Sequence, residues 1–99
     1  MTVNKTTVLL GGFMKIKNIT HVETNETRTD GRYPLRIGSE VEFFDWEPTI
    51  GMVMILHYLK DNQGKPKDGY LRTSTVYEVT ETENEIIVET RNSIYYLEK

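Results

Sequence analysis

Residues 70–98 read YLRTSTVYEVTETENEIIVETRNSIYYLE, and this stretch decides the fold class. Apolar or β-branched side chains alternate with polar ones along it, which is the period of half-buried strands and not that of a helix. The alternation is interrupted at 83–84 and at 91–92, where polar residues favour turns. The stretch therefore predicts consecutive antiparallel strands over residues 70–81, 85–90 and 93–98.

The same reading extends upstream, where further strands are predicted over residues 15–23, 39–46 and 52–60. The 52–60 strand is apolar on both faces, so we expect it to be central in the sheet or covered at an interface. Between the first two strands lies a long polar loop, 24–38, in which Asp30-Gly31 favours a turn and Pro34 blocks regular pairing. The pattern predicts an all-β fold, either a small SH3-like barrel or a compact β-sandwich of five to six strands, in one domain spanning 14–99.

Residues 1–13 differ from the rest of the chain and are predicted to be a non-native or flexible leader. They contain no acidic residue, and they end in Gly11-Gly12-Phe13 directly before Met14. A glycine pair is what a purine-rich ribosome-binding site encodes when it is translated, so we expect the native chain to start at Met14. The alternative is an ordinary flexible arm.

Composition limits the classes of function that this chain can perform. It has 99 residues and a formal net charge of −3. It contains no cysteine, which excludes disulfides and thiolate chemistry. The acidic balance argues against general affinity for duplex nucleic acid or anionic membranes, although a local basic pocket remains compatible with it. Without a membrane-length apolar run or a signal-peptide layout, a cytoplasmic protein is expected. A small domain without disulfide or metal cross-links has a small free energy of unfolding, so we also expect a homo-oligomer.

Signatures of catalysis and metal binding are missing from the sequence. The chain has only two histidines, His21 and His57, and they do not have the spacing of zinc ligands. No serine stands in a nucleophile-elbow context, and no glycine-rich phosphate loop is present. Asp45 and Glu47 could form a carboxylate pair, but acids in turns are usually just solvated. We therefore predict no catalytic residue, no metal and no cofactor.

The placement of the arginines is the most informative chemical feature. Three of the five arginines lie in the 24–38 loop. The other two, Arg72 and Arg91, each begin a motif that occurs twice in the chain, in which serine follows two residues later and tyrosine five residues later. The planar guanidinium fork suits phosphate and carboxylate groups. Arginines with neighbouring neutral donors can hold a small phosphorylated ligand in an otherwise acidic protein. The alternative is that each arginine pairs with a nearby surface carboxylate.

Neutral donors and rings complete this prediction. Hydroxyl and amide side chains stand beside the last two arginines, and Tyr33 and Trp46 could each stack a ring on a nucleotide base. The candidate ligand-binding residues are Arg28, Arg32, Tyr33, Arg36, Trp46, Arg72, Thr73, Ser74, Arg91, Asn92 and Ser93.

Four stretches carry a resemblance to known proteins: KNIT at 17–20, TDGRYPLRIG at 29–38, LRTSTV at 71–76 and ETRNSIYYL at 89–97. Over most of 14–99 the chain resembles short proteins carried by phages and mobile elements of low-GC Gram-positive bacteria. Small phage proteins of this type include anti-defence factors, the Thoeris and CBASS sponges. These sequester cyclic-nucleotide or cyclic-ADP-ribose immune signals, as oligomers, with arginine, aromatic and hydroxyl groups. The resemblance implies a non-enzymatic capture protein in a bacterial host cell.

Other functions remain open at the level of the sequence. A barrel could block a host defence enzyme as a protein–protein interaction module, through an edge strand or the turn at Trp46. A third interpretation is single-stranded nucleic-acid binding on an SH3-like face, which the acidic balance weakens. An enzyme that degrades the signal is the fourth.

Overall fold

Strand formation follows the alternation of the sequence. The computed structural model describes residues 13–99, so the predicted leader 1–13 lies outside the described residues except for Phe13. The elements are β1 (Met14–His21), α1 (Tyr33–Arg36), β2 (Glu40–Phe43), β3 (Val53–Lys60), β4 (Tyr70–Glu81), β5 (Glu85–Thr90) and β6 (Ser93–Glu98). Neighbouring strands pair antiparallel in chain order, and β6 pairs back with β1 to close a barrel. The all-β prediction is confirmed, and the barrel is the architecture formed.

The barrel interior is filled by one face of every strand. On β3 the buried side chains are Met54, Leu56 and Tyr58, and the residues between them point outward and keep partial exposure. Side chains of this kind fill a barrel of small strand number and leave no channel. The largest fully buried apolar side chains come from all six strands: Ile16, Ile19, Met54, Leu56, Leu97, Val41, Val76 and Val88.

Two predicted elements differ from the structure for local backbone reasons. The predicted 39–46 strand ends at Phe43, because Asp45 adopts φ +70°, a left-handed conformation that breaks a strand. The 24–38 loop contains one helical turn, α1, that the sequence analysis did not predict. Pro34 lies in its first turn, where the missing N–H of proline costs no helical hydrogen bond.

A bulge in β4 gives Thr73 a structural task. The β3–β4 register shifts between the pairs Val53–Thr75 and Ile55–Arg72, so β4 carries one extra residue there. The Met54 N–H donates to Thr73 Oγ1 at 3.0 Å, and that hydroxyl donates to the Ser74 carbonyl at 2.7 Å. The Thr73 hydroxyl therefore replaces the backbone carbonyl that would accept from Met54 in a regular β-sheet. Because Thr73 is buried, this hydroxyl does not face a ligand.

A Thr73→Val variant should therefore unfold more easily. Valine keeps the shape of threonine but leaves the buried Met54 N–H without an acceptor, which costs about 1–3 kcal/mol of unfolding free energy. Urea unfolding followed by circular dichroism measures the loss. Thr73→Ser keeps the acceptor and serves as the control. A valine variant as stable as the wild type would show that the bulge needs no hydroxyl.

Candidate functional site

A cavity of about 370 Å³ opens where the 24–38 loop meets the β5–β6 turn and the end of β1. We call it the arginine cavity, and it is lined by His21, Val22, Glu23, Arg28, Tyr33, Arg91 and Asn92. This volume lies at the lower end of the range of small-molecule sites in proteins. Residues far apart in the sequence meet here because β6 closes the barrel against β1.

A tight turn after β1 carries Arg28 to the cavity. Asn25 adopts φ +61°, which asparagine tolerates better than most residues, and its N–H donates to the His21 carbonyl at 2.9 Å. The chain then runs back beside β1, with a bridge between Thr20 and Thr27. The Arg28 N–H donates to the Ile19 carbonyl at 2.8 Å, which fixes the backbone of this arginine.

The Arg28 guanidinium is almost fully engaged within the protein. Its Nε and Nη2 donate to the two carboxylate oxygens of Asp30 at 3.1 and 2.8 Å. Its Nη1 donates to the Asn92 carbonyl and to Ser93 Oγ, both at 2.9 Å. Four of its five N–H groups therefore have partners. Arg28 ties the loop to the β5–β6 turn and has one donor left for a ligand.

Tyr33 is held between cations and hydroxyls. The Arg28 and Arg36 guanidinium carbons lie 4.2 and 5.0 Å from the centre of its ring, as cation–π contacts. Its hydroxyl accepts a hydrogen bond of 3.4 Å from Ser93 Oγ. Two guanidinium groups therefore already contact the ring that was predicted to stack on a nucleotide base.

A buried tyrosine lies behind the cavity. Burial, together with the nearby Tyr33 and against the opposing effect of Arg36, raises the pKa of Tyr95 to about 12. Burial likewise raises the pKa of Tyr58, again with Arg36 acting in the opposite direction. Both phenols therefore stay protonated at neutral pH, and this end of the barrel presents Arg36 with neutral partners.

Arg91 and Asn92 supply the open donors of the cavity. Strand β4 holds the turn that carries them. The Arg91 N–H donates to the Thr75 carbonyl at 2.9 Å, and the Asn92 N–H donates to Ser74 Oγ at 3.2 Å. Arg91 Nε donates to the Tyr77 hydroxyl at 3.3 Å. Within residues 13–99 the two terminal nitrogens of Arg91 have no hydrogen-bond partner, and neither does the Asn92 side-chain amide.

Acidic side chains beside the arginines give the cavity both negative and positive electrostatic potential. Glu23 lines the cavity with an exposed carboxylate, and Asp30 pairs with Arg28. His21 Nε2 lies 4.0 Å from an Asp30 oxygen, so a protonated imidazole would add a further cation. An anionic group of a ligand is therefore favoured beside Arg91, and a hydrogen-bond donor of the ligand beside Glu23.

The structure gathers part of the predicted site and leaves part of it apart. Arg28, Tyr33, Arg91 and Asn92 line the cavity, with Ser74, Ser93 and Arg36 directly behind them. The remaining candidates, Arg32, Trp46, Arg72 and Thr73, do not line it. Arg32 is exposed on the loop, and Trp46 and Arg72 belong to the β3–β4 side, where Trp46 Nε1 donates to the Val53 carbonyl at 3.3 Å. Of the five arginines, only Arg28 has a carboxylate within 4.0 Å in the described part of the chain.

Sequence reasoning missed His21 and Glu23. His21 is the last residue of β1, which pairs with β6, and Glu23 follows two residues later. Polar residues where a strand ends are the signal that could have placed them beside the β5–β6 turn. Their proximity to Arg91 depends on barrel closure, which no local motif encodes.

Acid should loosen the Arg28–Asp30 tie. The hydrogen bonds from Arg28 hold the pKa of Asp30 below its ordinary value of 3.8. Because the folded-state pKa is depressed, the stabilising contribution is fully present above the unfolded-state pKa and is lost as the pH falls through the folded value. We expect the melting temperature of Asp30→Asn to depend less on pH than that of the wild type below about pH 4. Asp68→Asn, in the exposed 61–69 loop, is the matched control, and identical pH profiles for Asp30→Asn and wild type would contradict the prediction.

Three further findings bear on what the chain can do. Among residues 13–99, no group of three or more histidine or acidic side chains is placed to hold a metal ion. In the same part of the chain, no helix has the length and apolar character to span a membrane. Comparison with protein-family models, curated proteins and solved structures found no match.

Proposed function

We propose that this chain is a non-enzymatic binding protein that captures a small anionic ligand of the nucleotide class in the arginine cavity. The observation that carries the proposal is the fork of Arg91, whose two terminal nitrogens have no hydrogen-bond partner among residues 13–99 and which lines the same cavity as Asn92 and Arg28. Guanidinium and amide donors on a rigid turn suit a phosphate, because their geometry is set before the ligand arrives.

The acidic part of the cavity narrows the ligand class. Glu23 would repel a simple anion, but its carboxylate accepts hydrogen bonds from ribose hydroxyls or base amino groups. A nucleotide carries both its phosphate and such donors, whereas inorganic phosphate carries little beyond its charge. A cavity of about 370 Å³ is also of the size that a mononucleotide needs.

The biological setting of the proposal comes from the sequence resemblance. Short phage and mobile-element proteins include anti-defence factors, and we propose that the captured ligand is a cyclic nucleotide or cyclic ADP-ribose used as an immune signal. In that setting the protein needs tight binding and slow release, and it needs no chemistry on the ligand. The tie of Arg28 to the β5–β6 turn supplies the rigidity that tight binding requires.

Isothermal titration calorimetry of the full chain tests this proposal. The panel is cyclic AMP, cyclic dinucleotides, cyclic ADP-ribose, AMP and inorganic phosphate, at one ionic strength. We expect at least one nucleotide to bind with a Kd below about 10 μM and inorganic phosphate to bind far more weakly. Chromatography of the released ligand should show it unchanged. A panel without any binding overturns the capture function, and conversion of the ligand overturns its non-enzymatic character.

A further inference from the structure

The outer face of the β2–β3–β4 sheet carries apolar side chains that the described residues leave partly exposed. We call it the aromatic face, and its members are Glu42, Phe44, Ile55, His57, Tyr70 and Arg72. Tyr70 is 56% exposed although it is a large aromatic residue. A face that combines aromatic side chains with one acidic and one arginine residue resembles the composition of a protein interface.

Strand register places these residues in two rows. Glu42 pairs with His57, which pairs with Tyr70, and this makes the first row. In the second row, the Phe44 N–H donates to the Ile55 carbonyl at 3.0 Å, and Ile55 pairs with Arg72.

One diagonal of this grid is aromatic. The Phe44 and Tyr70 rings contact each other across β3 with centroids 4.6 Å apart, and the His57 ring lies 5.1 Å from that of Tyr70. The other diagonal is charged, with Glu42 at one corner and Arg72 at the opposite one. Arg72 has no carboxylate within 4.0 Å among residues 13–99, and one oxygen of Glu42 accepts from His57 Nδ1 at 2.9 Å.

We propose that the aromatic face is the interface of a homodimer whose two-fold axis lies in the plane of the interface, perpendicular to the line that joins Glu42 and Arg72. Rotation about this axis exchanges the two charged corners. It therefore lays the partner's Arg72 over Glu42, and the partner's aromatic diagonal over the aromatic diagonal of the first copy. A face that is complementary to itself in both charge and aromatic character is what an isologous contact requires.

The occupant is a second copy because the charges match under this one rotation. The dimer would also cover the outer face of β3, the strand that is apolar on both sides. The arginine cavity is built from other elements, the end of β1, the 24–38 loop and the β5–β6 turn, so the proposal does not depend on the ligand-binding function.

Charge reversal of the two corners tests the geometry. We expect the wild-type full chain to dimerise with a Kd in the micromolar range or tighter. Arg72→Glu alone and Glu42→Arg alone each place two like-charged pairs at the interface, and each should weaken the dimer by at least about tenfold. An equimolar mixture of the two variants restores two opposite-charge pairs, so it should form a heterodimer. Native mass spectrometry and sedimentation measure the species, with Arg32→Glu and Glu83→Arg as exposed controls that leave the wild-type dimer unchanged.

Each outcome bears on the proposal. Heterodimers in the mixture, with monomers for each variant alone, support the two-fold contact. A wild-type chain that remains monomeric at several hundred micromolar overturns it. A wild-type dimer that is insensitive to both variants places the interface elsewhere and overturns it as well. Circular dichroism of each variant confirms folding.

Discussion

An Arg91→Met chain is expected to bind its nucleotide about 10- to 100-fold more weakly than the wild type while unfolding at the same temperature. Hydrogen bonds from a charged donor contribute about 1.5–3 kcal/mol each when an acceptor is present, and a tenfold change in Kd corresponds to about 1.4 kcal/mol. Arg91 is exposed, and its one side-chain hydrogen bond in the described residues is the 3.3 Å bond to the Tyr77 hydroxyl. Its loss should therefore affect the ligand and hardly affect the fold.

The control for Arg91→Met is the same substitution at an arginine that does not line the cavity. Arg32→Met removes the same charge from the exposed part of the loop and should leave the affinity unchanged apart from a small electrostatic effect. Arg91→Lys keeps the charge but not the planar fork, so it should recover only part of the affinity. Calorimetry with the tightest-binding nucleotide of the panel measures all three variants. Equal affinities for Arg91→Met and Arg32→Met would show that the ligand does not contact the fork.

The strands were predictable where alternation and turn chemistry agree. The predicted strands 70–81, 85–90 and 93–98 match the observed bounds, because each ends at polar turn residues and alternates over much of its length, with the bulge in β4 as the interruption. The predicted 39–46 strand is too long, because its alternation continues through Asp45 while the backbone there turns left-handed. A side-chain pattern reports burial and carries little information on φ.

The site was predictable in its residue types but not in its geometry. Of the residues predicted from arginines beside hydroxyl and amide groups, Arg28, Arg91 and Asn92 line one cavity. The sequence could not show that Asp30 and the β5–β6 turn occupy four donors of Arg28, since those partners depend on how β6 closes on β1. The same closure leaves Trp46 away from the cavity, and the β4 bulge turns the Thr73 hydroxyl into a backbone partner.

Replacing Arg28 by methionine is expected to lower the unfolding free energy by about 2 kcal/mol and to release the 24–38 loop. The bidentate bond to Asp30, the bonds to the Asn92 carbonyl and Ser93 Oγ, and the contact with the Tyr33 ring all disappear together. For a domain of this size the change corresponds to a fall in Tm of about 10 °C. Thermal unfolding and hydrogen exchange of the amides in residues 26–38 measure the two effects separately.

Arg28→Lys distinguishes the fork from the charge. Lysine carries a point charge and three donors on a flexible stem, so it cannot hold both Asp30 oxygens and the β5–β6 turn in one plane. We expect its loop amides to exchange nearly as fast as those of Arg28→Met, and its nucleotide affinity to fall with them, because the β5–β6 turn that carries Arg91 loses its anchor to the loop. Arg32→Met, in the same loop, should exchange like the wild type. If Arg28→Lys instead protects the loop as well as arginine does, the tie is an electrostatic attraction between the loop and its surroundings, and the hydrogen-bond geometry around Arg28 does not hold the cavity in shape.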